Sequence, residues 1–325
     1  MTFGRIAALA ASLLMAGTAH AAELRIGWQQ IVEPSRVPQA AGTYEAETRA
    51  DITWNLFGGG ADVIAAIASG AIDIGYVGSS PLTAAASQEL PIEAIYIVGN
   101  IGEAEALAVR NIASPAELAG HKIATPFAST AHYSLLTALS HWGIAPSSLE
   151  LVNLRPQDIA AAWERGDIDG AYVWDPVLNT IKTTGGTVIA TSKDVADWGG
   201  PTFDAWIVRK DYAEAHPDIV EAFVKVTGEA TADYLSNPAA WDATSSQAQA
   251  IAKLTGAPAQ DVPQLLKGYE FADLKAQTSE AFLGGGTAKA VAATAAFLVE
   301  QGTIATALDD YSPYVDKSFA EKAGD

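Results

Sequence analysis

The sequence contains no cysteine. That excludes disulfides, thiol nucleophiles, thiolate metal sites and the residue to which a lipoprotein anchor is attached. With 325 residues, 49% of them hydrophobic, the chain can bury a core large enough to need no covalent staples. It is expected to be free in its compartment, not tethered. Basic residues are scarce: 19 Lys and Arg stand against 38 Asp and Glu, a formal net charge of −19. Nucleic acid and anionic membrane surfaces are therefore poor partners, because both need a basic face. An anionic ligand is still possible in a closed, water-poor cleft, where a few local donors dominate. The overall acidity favours a ligand that also carries a positive group.

Other signatures are missing too. Beyond residue 30 there is no run of 18 apolar residues, so that stretch offers no membrane-spanning helix. Gly284-Gly285-Gly286 lacks the Gly-Lys-Ser/Thr ending of a nucleotide loop. No G-x-S-x-G elbow occurs, and the five histidines are scattered without metal-ligand spacing. No metal, cofactor or catalytic residue is expected.

What is present begins with an export signal. Arg5 precedes the apolar stretch Ile6 to Met15, and Ala19-His20-Ala21 fits a small-x-small cleavage site. This predicts a signal peptide over residues 1–21 and a periplasmic mature chain. Past it, Glu23 to Trp28 alternates like a strand, Ala61 to Ser69 has helical spacing, and Ile72 to Val77 again reads as a strand. Such alternation predicts α/β architecture. Helices are also expected over Ile219 to Leu235 and Ala288 to Gln301, in a tail packed on the first lobe.

An internal repeat refines this. VIAAIASGAIDIGYVGSSP (63–81) matches IAAAWERGDIDGAYVWDP (159–176) at a constant offset of 96 residues, Gly70 to Gly166 and Tyr76 to Tyr172. Each copy reads as helix, glycine cap, buried strand and a loop ending at proline. Two such units suggest two similar lobes, with the loops after the strands facing one cleft. ALAVRN (106–111) resembles AWIVRK (205–210), and these two strands are expected to mark the crossings between lobes. The expected division is 22–110 and 206–325 for lobe one, and 111–205 for lobe two.

The strongest binding signal is hydroxyls at two helix starts: Ser79 and Ser80 before Pro81, and Ser129 and Thr130 before an apolar helix that carries His132 and Tyr133. Free N–H groups and the helix dipole favour an anion there. Ordinary capping accounts for either motif alone; two on converging loops point to a ligand. The second signal is acids beside indoles. Trp174, Asp175, Asp204 and Trp206 flank the second-lobe strand and the return crossing, and Gln29 and Glu33 follow Trp28. Carboxylates with indole faces hold an ammonium. Equally, a tryptophan at a strand end can be core, and an aspartate before proline a turn residue. Asp204 is preferred as the amine partner because its apolar neighbours leave no solvated charge run.

GSSPL (78–82), STAHYSLLTAL (129–139), HWGI (141–144), RGDIDGAYVW (165–174), VRKD (208–211) and DYSPYV (310–315) together resemble the sulfonate/nitrate/taurine family of periplasmic solute-binding proteins, its taurine type above all. The similarity runs over essentially the whole mature chain. It implies a two-lobed type II periplasmic-binding fold with two crossover strands. It also implies a monomer that closes on taurine or a related sulfonate and delivers it to an inner-membrane ABC permease with its ATPase. By the same resemblance Ser79, Ser80, Ser129 and Thr130, with His132 and Tyr133, would take the sulfonate, and Asp204, with Glu33, the amine. Asp175 departs from the taurine-type pattern, which has a small apolar residue there, and leaves room for a longer or more cationic amine. The alternatives are a binder of another alkanesulfonate, nitrate or amino-anion, or an enzyme on this fold such as a pyrimidine-precursor synthase. The leader and the lack of cysteine speak against the enzyme.

Overall fold

The computed structural model describes residues 21–324. Apart from Ala21, the predicted leader lies outside them. Eleven strands run in chain order: β1 Glu23–Trp28, β2 Asp51–Leu56, β3 Ile74–Gly78, β4 Ile92–Ile101, β5 Glu105–Val109, β6 Lys122–Thr125, β7 Glu150–Asn153, β8 Gly170–Trp174, β9 Thr187–Thr191, β10 Phe203–Arg209 and β11 Tyr269–Phe271. They form two mixed sheets, β11-β4-β10-β3-β1-β2 and β7-β6-β8-β5-β9. Among the described residues no helix is long and apolar enough to cross a membrane.

Without β11, both sheets have one topology. In each, three parallel strands are followed by one antiparallel strand (β10 or β5) and a last strand beyond it. The repeat falls on this symmetry. Its strands are β3 and β8, buried along their whole length because both sheet faces are covered. Its glycines, Gly70 and Gly166, have φ of 72° and 75° after the helices Gly60–Ala68 and Pro156–Arg165. Only glycine adopts this left-handed conformation without strain.

The first crossing differs from expectation. The strand with ALAVR is β5, which pairs with β8 and β9 in the second sheet, so the chain has already crossed at 102–104. An apolar strand reads the same in either sheet; its antiparallel partners decide where it belongs. The return runs through 198–202 into β10, which lies between β3 and β4. The tail helix Pro217–Ser236 packs on the first sheet's side, with Phe223 stacked on Tyr44 at 4.9 Å and Thr227 hydrogen-bonded to the Tyr44 hydroxyl at 2.8 Å. The helix Gly286–Glu300 reaches further: Phe297 meets Tyr133 of the second lobe edge to face at 4.9 Å.

The lobes touch across the cleft. Gln157 donates to Gln30 at 2.7 Å, Asn179 to Asp261 at 2.9 Å, and Arg155 pairs with Asp62 at 3.4 Å.

Candidate functional site

A pocket lies between the sheets at the carboxyl ends of their strands. Three helix N-termini supply part of its wall. They are Gly60 of Gly60–Ala68, Gly78 and Pro81 at the start of Ser79–Ser87, and Ser129 and Thr130 at the start of Thr130–His141. The Ser129 hydroxyl caps its helix by accepting from the His132 N–H at 3.2 Å. A Cβ on Gly78 would lie 2.5 Å from Thr130 Cγ2, so the two lobes meet here only because residue 78 is glycine.

Two buried carboxylates form the opposite character. Asp204, the second residue of β10, accepts from the Tyr269 hydroxyl at 2.9 Å and the Tyr76 hydroxyl at 3.1 Å. Both bonds go to Oδ2. Oδ1 lies beside Gly78 at the pocket wall and accepts no hydrogen bond from the described residues. Burial pushes the Asp204 carboxyl up to about 7; the Tyr269 bond opposes this and the nearby Glu105 reinforces it. Glu105, on β5, accepts from Thr130 at 2.6 Å, Ser192 at 2.7 Å and Ser134 at 3.4 Å. Burial also lifts it to about 7, against those three hydroxyls. Gln29, Ile31, Ile101 and Trp174 complete the lining.

Donor-rich helix ends on one side and carboxylates on the other suit a small molecule with one anionic and one cationic end. Among the described residues no group of three or more His, Asp or Glu side chains is arranged to hold a metal ion.

The family described as NMT1/THI5 like matches residues 50–241. The chain belongs to this family. It is 45% identical over 314 residues to the taurine-binding periplasmic protein of Escherichia coli (strain K12), covering 96% of this chain and 97% of that one. Two solved structures share the fold of this NMT1/THI5-like chain. The alkanesulfonate-binding protein of Xanthomonas axonopodis pv. citri, bound to MOPS, superposes with a TM-score of 0.75 at 24% identity, over 87% of this chain and 94% of that one. The periplasmic aliphatic sulphonate binding protein of Escherichia coli gives 0.72 at 22%, over 91% and 92%.

Of the residues singled out in the sequence, this NMT1/THI5-like structure brings Gln29, Ser129, Thr130, Trp174 and Asp204 to the pocket. The others stand elsewhere. Ser79 and Ser80 are buried and do not line the pocket: Ser79 Oγ accepts from the Phe203 N–H at 3.4 Å, while Ser80 Oγ has no partner among the described residues. Glu33 is engaged by Arg36 at 2.7 Å and by Ser35. Trp206 lies in the core, edge to face with Tyr76 and Phe223. Asp175 caps the next helix by accepting from the Asn179 N–H at 2.9 Å, and burial raises it to about 7. His132 stacks on Phe127 at 4.5 Å, and burial lowers it to about 4, so it is neutral at ordinary pH and no cationic partner for a sulfonate. Tyr133 faces Phe297.

Sequence reasoning missed Glu105 and Tyr269. Glu105 follows another acid, Glu103, which blurs the signal that marked Asp204, but extending the paired strands by one residue gives EALAVR beside DAWIVR. Tyr269 sits on a three-residue strand inside a helical tail, with no local signal of its own.

Proposed function

We propose that this chain is a periplasmic solute-binding protein of an ABC importer and that it holds taurine between its lobes, as a monomer and without catalysis. One observation carries the reading. Asp204 is buried, two phenols fix one of its oxygens, and the other borders a pocket walled by helix N-termini. Taurine is a zwitterion with a sulfonate and an ammonium two carbons apart. The sulfonate meets the backbone N–H groups of the helix starts around Gly60, Gly78, Ser129 and Thr130, since the Ser129 and Thr130 hydroxyls already donate to the Pro126 carbonyl and to Glu105; the ammonium meets Asp204 and Glu105, with the Trp174 face beside it. The similarity to the Escherichia coli taurine-binding protein supports this assignment. The leader predicted from Arg5 to Ala21 supports export to the periplasm. A membrane permease and its ATPase are the partners this role requires.

A site with a partner for each end rejects ligands lacking either, because the buried group left behind loses its bond. Calorimetric titration with taurine, ethanesulfonate and β-alanine tests this. Tight binding of taurine alone is expected. Tighter binding of ethanesulfonate than of taurine would overturn the assignment and favour a simple alkanesulfonate.

A further inference from the structure

The two tyrosines that hold Asp204 differ in what lies behind them. Tyr76 belongs to β3, inside the first sheet. Tyr269 belongs to β11, the strand that breaks the symmetry of the two sheets, paired with the end of β4 as Tyr269 to Ile101. The residue before it, Gly268, offers one carbonyl to two N–H groups of the first crossing, Gly102 and Ala104, each at 3.2 Å. That crossing also reaches the second lobe: the Gly102 carbonyl accepts from the Lys193 N–H at 3.2 Å, and the Ala104 carbonyl from the Asp175 N–H at 2.9 Å. The approach depends on missing side chains. A Cβ on Gly268 would fall 2.8 Å from the Ala104 nitrogen, and one on Gly102 would fall 2.8 Å from the Gly268 oxygen.

We infer that Tyr269 is a positioning and specificity residue, tying the carboxylate that receives the ligand's cationic end to the hinge at 102–104, so that lobe closure responds to that end. The inference rests on Asp204 as the amine partner. An ammonium at Oδ1 stabilises the ionised carboxylate, and a charged acceptor strengthens both phenol bonds at Oδ2. Through Tyr76 this stiffens only the first sheet. Through Tyr269 it fixes β11, and with it the Gly268 carbonyl that grips both hinge N–H groups. A ligand without an ammonium leaves that link slack, and the closed state gains less from it.

The experiment compares Tyr269→Phe with Tyr76→Phe, two variants that each remove one bond to the same oxygen. The chain has no cysteine, so Leu56→Cys and Phe127→Cys, both exposed, one on each lobe, accept fluorophores without background. Energy transfer between them reads closure, and calorimetry reads affinity for taurine and ethanesulfonate. Each phenylalanine variant is expected to weaken taurine binding by roughly tenfold, the worth of a hydrogen bond to a charged group. At saturating taurine Tyr76→Phe should close fully, whereas Tyr269→Phe should stop at the lesser closure seen with ethanesulfonate. Gly268→Ala, which leaves Asp204 untouched, should lower the taurine-to-ethanesulfonate affinity ratio several-fold. Equal closure in the two phenylalanine variants overturns the inference; if Gly268→Ala fails to fold, that comparison decides alone. Absence of taurine binding by the unaltered protein overturns the reading of the site beneath it, and is seen before any variant is made.

Discussion

Glu105 and Asp204 occupy the same position in the two sheets. Glu105 opposes Trp174 at the end of β8, and Asp204 opposes Gly78 at the end of β3, positions that the repeat equates. The pocket acids are therefore pseudo-symmetric mates, one from each lobe. Their surroundings are not symmetric: hydroxyls of the second lobe hold Glu105, and phenols of the first hold Asp204.

Asp204→Asn keeps the shape and removes the charge. Taurine affinity is expected to fall by more than about tenfold, above roughly 1.4 kcal/mol, while ethanesulfonate is affected less. Calorimetry on both ligands checks this. An equal loss for both would mean that the residue shapes the pocket without meeting the amine.

Gly78→Ala acts on closure. The new methyl would meet Thr130 Cγ2 at 2.5 Å, so the lobes must stand apart. All ligands should weaken together, with thermal stability of the free protein little changed, as titration and a melting curve will register.

Protonation gives a third test. Burial holds Asp204, Glu105 and Asp175 near 7, above the carboxylate range of about 4 in an unfolded chain. Between those values the folded chain binds more protons than the unfolded one. The contribution of these groups to stability is thus complete below about pH 4 and is lost as pH rises through about 7. An ammonium beside Asp204 and Glu105 favours their ionised forms, so taurine binding should release protons. Binding heats near neutral pH should then differ between buffers of unequal ionisation enthalpy, and affinity should rise with pH up to about 7. Buffer-independent heat would contradict the pairing.

At the second helix start, neighbouring residues should diverge. Ser129→Ala removes the cap, costing about 1 kcal/mol of stability, and loosens the helix start at the pocket wall, so affinity for every sulfonate should fall with it. His132→Ala leaves affinity unchanged, since that ring stacks on Phe127 away from the pocket. A strong loss of binding in His132→Ala would show that the ring reaches the ligand.

The repeat made both lobes legible, because helix, left-handed glycine and buried strand leave a pattern that survives divergence, as Gly70 and Gly166 do. Asp204 was legible for a related reason: a lone acid in an apolar strand needs a partner. The hinge was not, because only the pairing of β5 with β8 and β9 puts that strand in the second sheet. Ser79 and Ser80 are absent from the pocket lining, which their helix start reaches through Gly78 and Pro81, and a sequence does not tell which residues of a helix start border a cavity. Tyr269 was out of reach, since its meaning comes from a bond to a residue 65 positions earlier.

Behind the pocket wall, Arg36 is wholly buried, its guanidinium 5.1 Å from the Trp28 ring and 5.5 Å from those of Tyr76 and Trp206, with Glu33 as its counter-ion. Losing either partner alone strands a charge in the core at about 3–5 kcal/mol, a large share of a typical net stability of about 5–15 kcal/mol. The two positions are therefore locked into joint inheritance. Among diverging descendants of this chain, an apolar residue at 36 should arrive only with an apolar residue at 33, and a lineage that changes one of them must first gain stability elsewhere.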